Sequence, residues 1–140
     1  MSGKRNKKVF FILAIFSLLL MGLSASMALA VNTSYVHFEF RITSPNDQTY
    51  RQQKWTKSSY YLKSTSSSRP WYTATAWGQS YKAGRTGNID VSGGVKYHVY
   101  SYHTYRLTNY LVERYGAGNN AYIMANSYGY GSSYGTWHAD

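Results

Sequence analysis

Residues 93–116 read GGVKYHVYSYHTYRLTNYLVERYG, and the fold class turns on how this stretch is parsed. A glycine pair opens it, Gly116 closes it, and six tyrosines are interleaved with β-branched residues between. Tyrosine and β-branched side chains suit a pleated, half-buried surface. Over 95–102 the chain alternates, Val95, Tyr97 and Val99 on one face and Lys96, His98 and Tyr100 on the other, which is the period of a strand. Leu107, Tyr110, Leu111 and Arg114 would also line a helix over 105–113, but eight or nine uncapped residues make a marginal helix. Two strands are therefore expected, with Val95, Tyr97, Val99 and Leu107 packing and His98, Tyr100 and Tyr102 facing outward.

Downstream, 116–120 reads as a turn, 121–125 as a strand, and the Gly/Tyr-rich tail 128–140 as a last, irregular strand held by the large apolar side chain of Trp137. Upstream, 88–92 is a short strand and 78–87 a basic, glycine-punctuated connection with Lys82 and Arg85. Residues 71–77 alternate Trp71, Thr73, Thr75 and Trp77 against Tyr72, Ala74 and Ala76, and the pattern leaves open which face meets the core. The serine-rich run 64–70 reads as a loop, 58–63 as a strand and the polar, basic 49–56 as a short edge strand. Residues 35–42 put Val36, Phe38, Phe40 and Ile42 on one face, and the turn residues 43–47 end that strand. About seven short strands, frequent turns and no repeat period predict an all-β fold, an antiparallel β-sandwich, with a barrel as the alternative.

Residues 1–30 have the order of an export signal: Lys4, Arg5, Lys7 and Lys8, an apolar run over 9–23, and Ala28-Leu29-Ala30 before the expected cleavage. Two regions follow, a signal peptide helix at 1–30 and a secreted domain at 31–140. Signal peptidase and the general export machinery are the implied partners, and retention as an N-terminal anchor is the alternative. Eleven Lys and Arg against five Asp and Glu after residue 30 leave a surplus of six positive charges. Cysteine is absent, which excludes disulfides and thiolate metal sites.

Chemistry for catalysis is thin. The carboxylates Glu39, Asp47, Asp90, Glu113 and Asp140 are scattered, the four histidines have no ligand spacing, and no nucleophile elbow or phosphate-cradling glycine loop occurs. No enzyme, metal or cofactor is expected. Aromatic rings beside cations are the suggestive feature, because they stack on sugars or bases and meet phosphate. The candidate recognition surface is His98, Tyr100, Tyr102, Lys96, Arg106, Trp71 and Trp77. Export sets nucleic acid aside, and without an amphipathic basic helix no stable membrane insertion is expected after cleavage. Anionic cell-wall polymer or an envelope precursor is the expected partner.

The cysteine-free leader, the 71–78 segment WYTATAWG, YRLTNYLVERYG followed by AYIMA, and the closing YGTWHAD resemble small secreted β-sandwich proteins of Gram-positive bacteria. These are the lactococcin-type bacteriocins and an uncharacterised exported family. The resemblance implies a secreted, bacteriocin-like protein acting non-covalently on the envelope of neighbouring cells. The alternative is a non-toxic cell-surface module that binds wall polymer.

Overall fold

The computed structural model describes residues 32–81 and 87–140, so the signal segment, its cleavage point, Lys82 and Arg85 lie outside the described residues. The described chain is mostly strand: β1 (Ser34–Phe40), β2 (Asn46–Gln48), β3 (Gln52–Lys54), β4 (Tyr60–Ser67), β5 (Tyr72–Gln79), β6 (Asn88–Asp90), β7 (Tyr97–Val99), β8 (Thr104–Leu107), β9 (Asn119–Asn126) and β10 (Gly131–His138). One short helix, α1 (Leu111–Tyr115), interrupts them. All pairings are antiparallel. The first sheet runs β1-β10-β4-β8; in the second, β9 and β5 are central, flanked by β2 and β3 on one side and β6 and β7 on the other.

The two sheets share one core, and their inner faces are matched in size. The first contributes Val36, Phe38, Phe40, Tyr60, Leu62, Leu107 and Trp137, all buried. Opposite them the second presents Ala74, Ala76, Ala121 and Ala125, small enough to receive those bulky side chains. Tyr72 reaches across, its ring centroid 5.6 Å from Phe38 and 5.5 Å from Phe40. Tyr60 crosses the other way and donates its hydroxyl to the Trp77 carbonyl at 3.1 Å. The question left by 71–77 is thereby settled: Tyr72, Ala74 and Ala76 face the core, and the tryptophan side faces out.

Several expectations change. Of residues 105–113 only 105–107 are strand: β8 ends at Leu107 and α1 follows from Leu111. Tertiary contacts impose this helix, as its length would not sustain it alone. Asn109 donates to the Ser58 carbonyl at 2.8 Å, the Tyr110 amide donates to the Val91 carbonyl at 2.8 Å, and Leu111 is wholly buried. A Cβ at Gly78 would lie 2.5 Å from the Leu111 side chain, so glycine there makes the recess that Leu111 fills. Val95 is exposed rather than packed, because it precedes β7 in the turn after Gly94. Residues 64–67 continue β4 instead of forming a loop, since β10 supplies a ladder for them. Likewise Asn46 and Asp47, expected in a turn, pair with β9 as part of β2.

The tail takes a more central place than its composition suggests. The last strand is there, with an irregularity, but 131–138 is an eight-residue strand in the interior of the first sheet, between β1 and β4. A register shift falls between Tyr134, opposite Ser66, and Gly135, opposite Ser64. At Gly135 the strands approach so closely that a Cβ would stand 2.1 Å from the Lys63 carbonyl oxygen. Gly135→Ala therefore forces backbone apart in an inner strand. Overpacking of this kind costs about 1–3 kcal/mol, and a thermal midpoint lowered by roughly 5–20 °C is expected in a melting experiment.

Candidate functional site

The topology gathers one end of the domain into a single loop cluster. Phe40 pairs with Gly131, Ser133 with Ser67, and Lys63 with Thr104, so β1 and β4 finish where β10 and β8 begin. In the second sheet Asn126 pairs with Thr73 and Asn46, and Tyr72 pairs with Val99. Four connections, β1–β2, β4–β5, β7–β8 and β9–β10, therefore pass from one sheet to the other at the same end.

Each connection exposes a large apolar or aromatic side chain: Ile42, Trp71, Tyr100 with Tyr102, and Tyr128 with Tyr130. Tyr102 is 85% exposed and Tyr128 80%. Tyr102 also has φ of 64°, in the left-handed region that a bulky side chain rarely adopts. The turn holding it is well tied: the Tyr100 amide donates to the Tyr105 hydroxyl at 2.9 Å, and the Ser64 amide donates to the His103 carbonyl at 2.9 Å. A strained tyrosine held out into water has no packing purpose, and such positions concentrate where a chain meets a partner.

Between the β4–β5 and β9–β10 connections lies a cleft of about 250 Å³ lined by Arg69, Pro70, Trp71, Thr73, Asn126, Ser127 and Tyr128. Trp71 forms one wall, its ring stacked on His98 at 4.3 Å. This stack follows from register, because His98 pairs with Thr73, two residues along β5 from Trp71. Arg69 is fixed rather than free: Nε donates to Ser127 Oγ at 3.3 Å and Nη2 to the Tyr128 carbonyl at 2.7 Å. Two glycines make room for it, since a Cβ at Gly131 would lie 2.6 Å from Arg69 Cδ, and one at Gly129, where φ is 107°, would lie 3.1 Å from Nη1. The result is an aromatic plane, a positioned cation and side-chain amide and hydroxyl groups around a space below the roughly 300–1,000 Å³ of sites for drug-sized ligands. It suits one residue of a polymer.

Of the seven residues singled out from sequence, Trp71, His98, Tyr100 and Tyr102 meet at this end. Trp77 lies six residues along β5, about 20 Å away at strand rise, where its ring neighbours Tyr122. Lys96 precedes β7, away from the loop cluster, and Arg106 lies on the outer face of the first sheet over the Tyr61 ring. Arg69, Asn126, Tyr128 and Tyr130 were missed. The Gly-Tyr-Gly spacing at 129–131 was a signal for a tight turn, but not for its neighbours in space.

At the opposite end, Lys54 is fully buried and Asp140 caps it. Lys54 Nζ donates to Asp140 Oδ1 at 3.1 Å, to Ser58 Oγ at 3.0 Å and to the Ala139 carbonyl, and it lies 5.3 Å from the Tyr60 ring centroid. Burial pulls the ammonium below the ordinary lysine range, against the upward pull of Asp140. This pair is structural, and because it takes one charge of each sign it leaves the positive surplus of the domain unchanged. Among the described residues no three His, Asp or Glu side chains converge as a metal site, and no helix is long and apolar enough to cross a membrane. No family model, curated protein or solved structure matches the chain.

Proposed function

We propose that this protein is a secreted, non-catalytic β-sandwich module that holds a glycan-containing wall polymer at the cell surface through its loop end. The observation that carries the reading is the convergence of three connections with exposed aromatic side chains, and a fourth exposing Ile42, at the end that holds the Trp71 cleft. Tyrosine and tryptophan give large contact area with few rotatable bonds, so they lose little entropy on binding. The ring of Trp71 offers an apolar plane to a sugar, and Arg69 beside it favours an anionic substituent. Two antiparallel sheets on one shared core support the sandwich arrangement, and the basic, apolar, small-residue order of 1–30 supports export.

The test is sedimentation of the purified 31–140 domain with isolated Gram-positive cell walls. Binding is expected at low salt, weakening as salt rises and after teichoic acid is stripped. Trp71→Ala and Tyr128→Ala should each weaken it about tenfold, roughly 1.4 kcal/mol, with Tyr128→Ala leaving the melting curve unchanged and Trp71→Ala losing only the His98 stack, about 0.5–1.5 kcal/mol of stability. Absence of pelleting at low salt would sink the proposal. Growth inhibition on lawns of related strains would instead make envelope attack, as in the bacteriocin-like reading, the consequence of the same binding.

A further inference from the structure

The outer face of the first sheet carries a second arrangement of recognition groups, separate from the loop end. Register places them. His37 lies opposite Tyr134, Tyr61 sits between His138 and Arg106, and Lys63 lies between Thr136 and Thr104. His37 stacks on Tyr134 at 4.6 Å with 9° between the planes, and Tyr61 stacks on His138 at 4.5 Å with 13°. Each ring thus gives one face to its neighbour, so the pairs offer polar ring edges more readily than open planes. Tyrosine and histidine edges are hydrogen-bonding groups.

Two cations accompany them. Arg106 lies 5.9 Å from the Tyr61 centroid, and Lys63 is exposed. As diagonal neighbours on an antiparallel pair, their Cα atoms are separated by about 7–8 Å. Among the described residues neither has an ion-pair partner: Glu39, the carboxylate on this face, is held by Arg41 at 2.7 Å, and Asp140 is turned to Lys54 and Thr56. The groups named present no aliphatic side chain, so the face lacks what insertion between lipid tails requires.

We propose that this face is a second binding surface whose ligand is a phosphodiester-linked wall polymer, with Lys63 and Arg106 meeting successive phosphates and the Tyr61 and Tyr134 hydroxyls and the His37 edge donating hydrogen bonds to them, while His138 Nδ1 is held by the Asp140 carbonyl. It does not depend on the loop-end reading. Because its inner side faces the shared core, it points away from the second sheet, and a domain using both sites would join two polymer strands.

The experiment is titration of the 31–140 domain with sugar-free poly(glycerol phosphate) at several salt concentrations, on wild type, Lys63→Gln/Arg106→Gln and Trp71→Ala. Loss of two phosphate contacts should weaken binding at least tenfold at low salt and reduce the slope of log K against log salt by about 1.4. Introduced into Trp71→Ala, the same double substitution should bring the same two losses. A double variant that binds like wild type, or no binding at low salt, would overturn the proposal. Equal, equally Lys63- and Arg106-dependent binding to anionic lipid vesicles would overturn its commitment to polymer. If Trp71→Ala alone removes binding of the sugar-free chain, the second surface fails while the cleft stands; if the cleft variants keep wall binding and the double variant loses it, the cleft fails instead.

Discussion

Trp137→Ala is expected to lower the unfolding free energy by about 3–5 kcal/mol, the usual cost of emptying a buried tryptophan site. Trp137 is wholly buried, its ring centroid 6.1 Å from that of Tyr60, on the inner face of the strand between β1 and β4. Domains of this size carry roughly 5–15 kcal/mol in all, so the variant should be near unfolding at ambient temperature. Trp137→Phe separates volume from chemistry. The indole N–H is buried without a hydrogen-bond partner among the described residues, and a group so placed costs about 1–3 kcal/mol. Phenylalanine removes that penalty while keeping most of the ring, so its loss should be less than half that of alanine. Urea titration measures both, and an alanine variant within about 1 kcal/mol of wild type would contradict the packing account.

Asp140→Ala is expected to cost about 3 kcal/mol, because it strands the buried Lys54 ammonium. Lys54→Met, which removes the charge and keeps the volume, should cost far less, within about 1 kcal/mol. The asymmetry distinguishes a buried charge needing its partner from a surface ion pair, where both changes would be small. The pair also fixes the sign of the pH response. Burial alone would raise the Asp140 carboxyl, but hydrogen bonds from the Thr56 hydroxyl and amide, the Trp55 amide and Lys54 hold it below its ordinary 3.8. A depressed carboxyl contributes stability that is complete above the unfolded value and is lost as pH falls through the folded one. Wild-type stability should therefore decline below about pH 4, and the Asp140→Ala variant should lack that part of the decline. At the alkaline side Lys54 titrates earlier in the folded state, so its burial penalty fades as pH rises toward 10.5. Urea midpoints measured from pH 3 to 10 check both arms.

Local pattern carried the reading of β1 and β5, where large or small side chains alternate without interruption. It failed where distant contacts decide. The helical face of Leu107, Tyr110, Leu111 and Arg114 was visible, yet only the recess at Gly78 and the hold of Asn109 on Ser58 make a five-residue helix worthwhile. Three of residues 64–67 are serines, which have weak preferences, so the stretch takes its conformation from β10. Lys54 looked like any surface cation, because nothing in QQKWT indicates that residue 140 will return to cover it. For the site, Trp71 and His98 could be named as aromatic and imidazole groups, but their stacking depends on the pairing of β5 with β7. Arg69, Tyr128 and Tyr130 join them only because the β4–β5 and β9–β10 connections end at one place.

The position of β10 also sets an order of events. It follows every other strand in the chain, yet β1 and β4 meet only through it. A polypeptide emerging amino end first can pair β4 with β8, but the first sheet stays in two pieces until residues 131–138 arrive. Closing it joins segments about 100 residues apart, a contact pattern that folds slowly. If the proposed export holds, such a delay would serve it, because the chain's own sequence would postpone the folded state until the last strand is available.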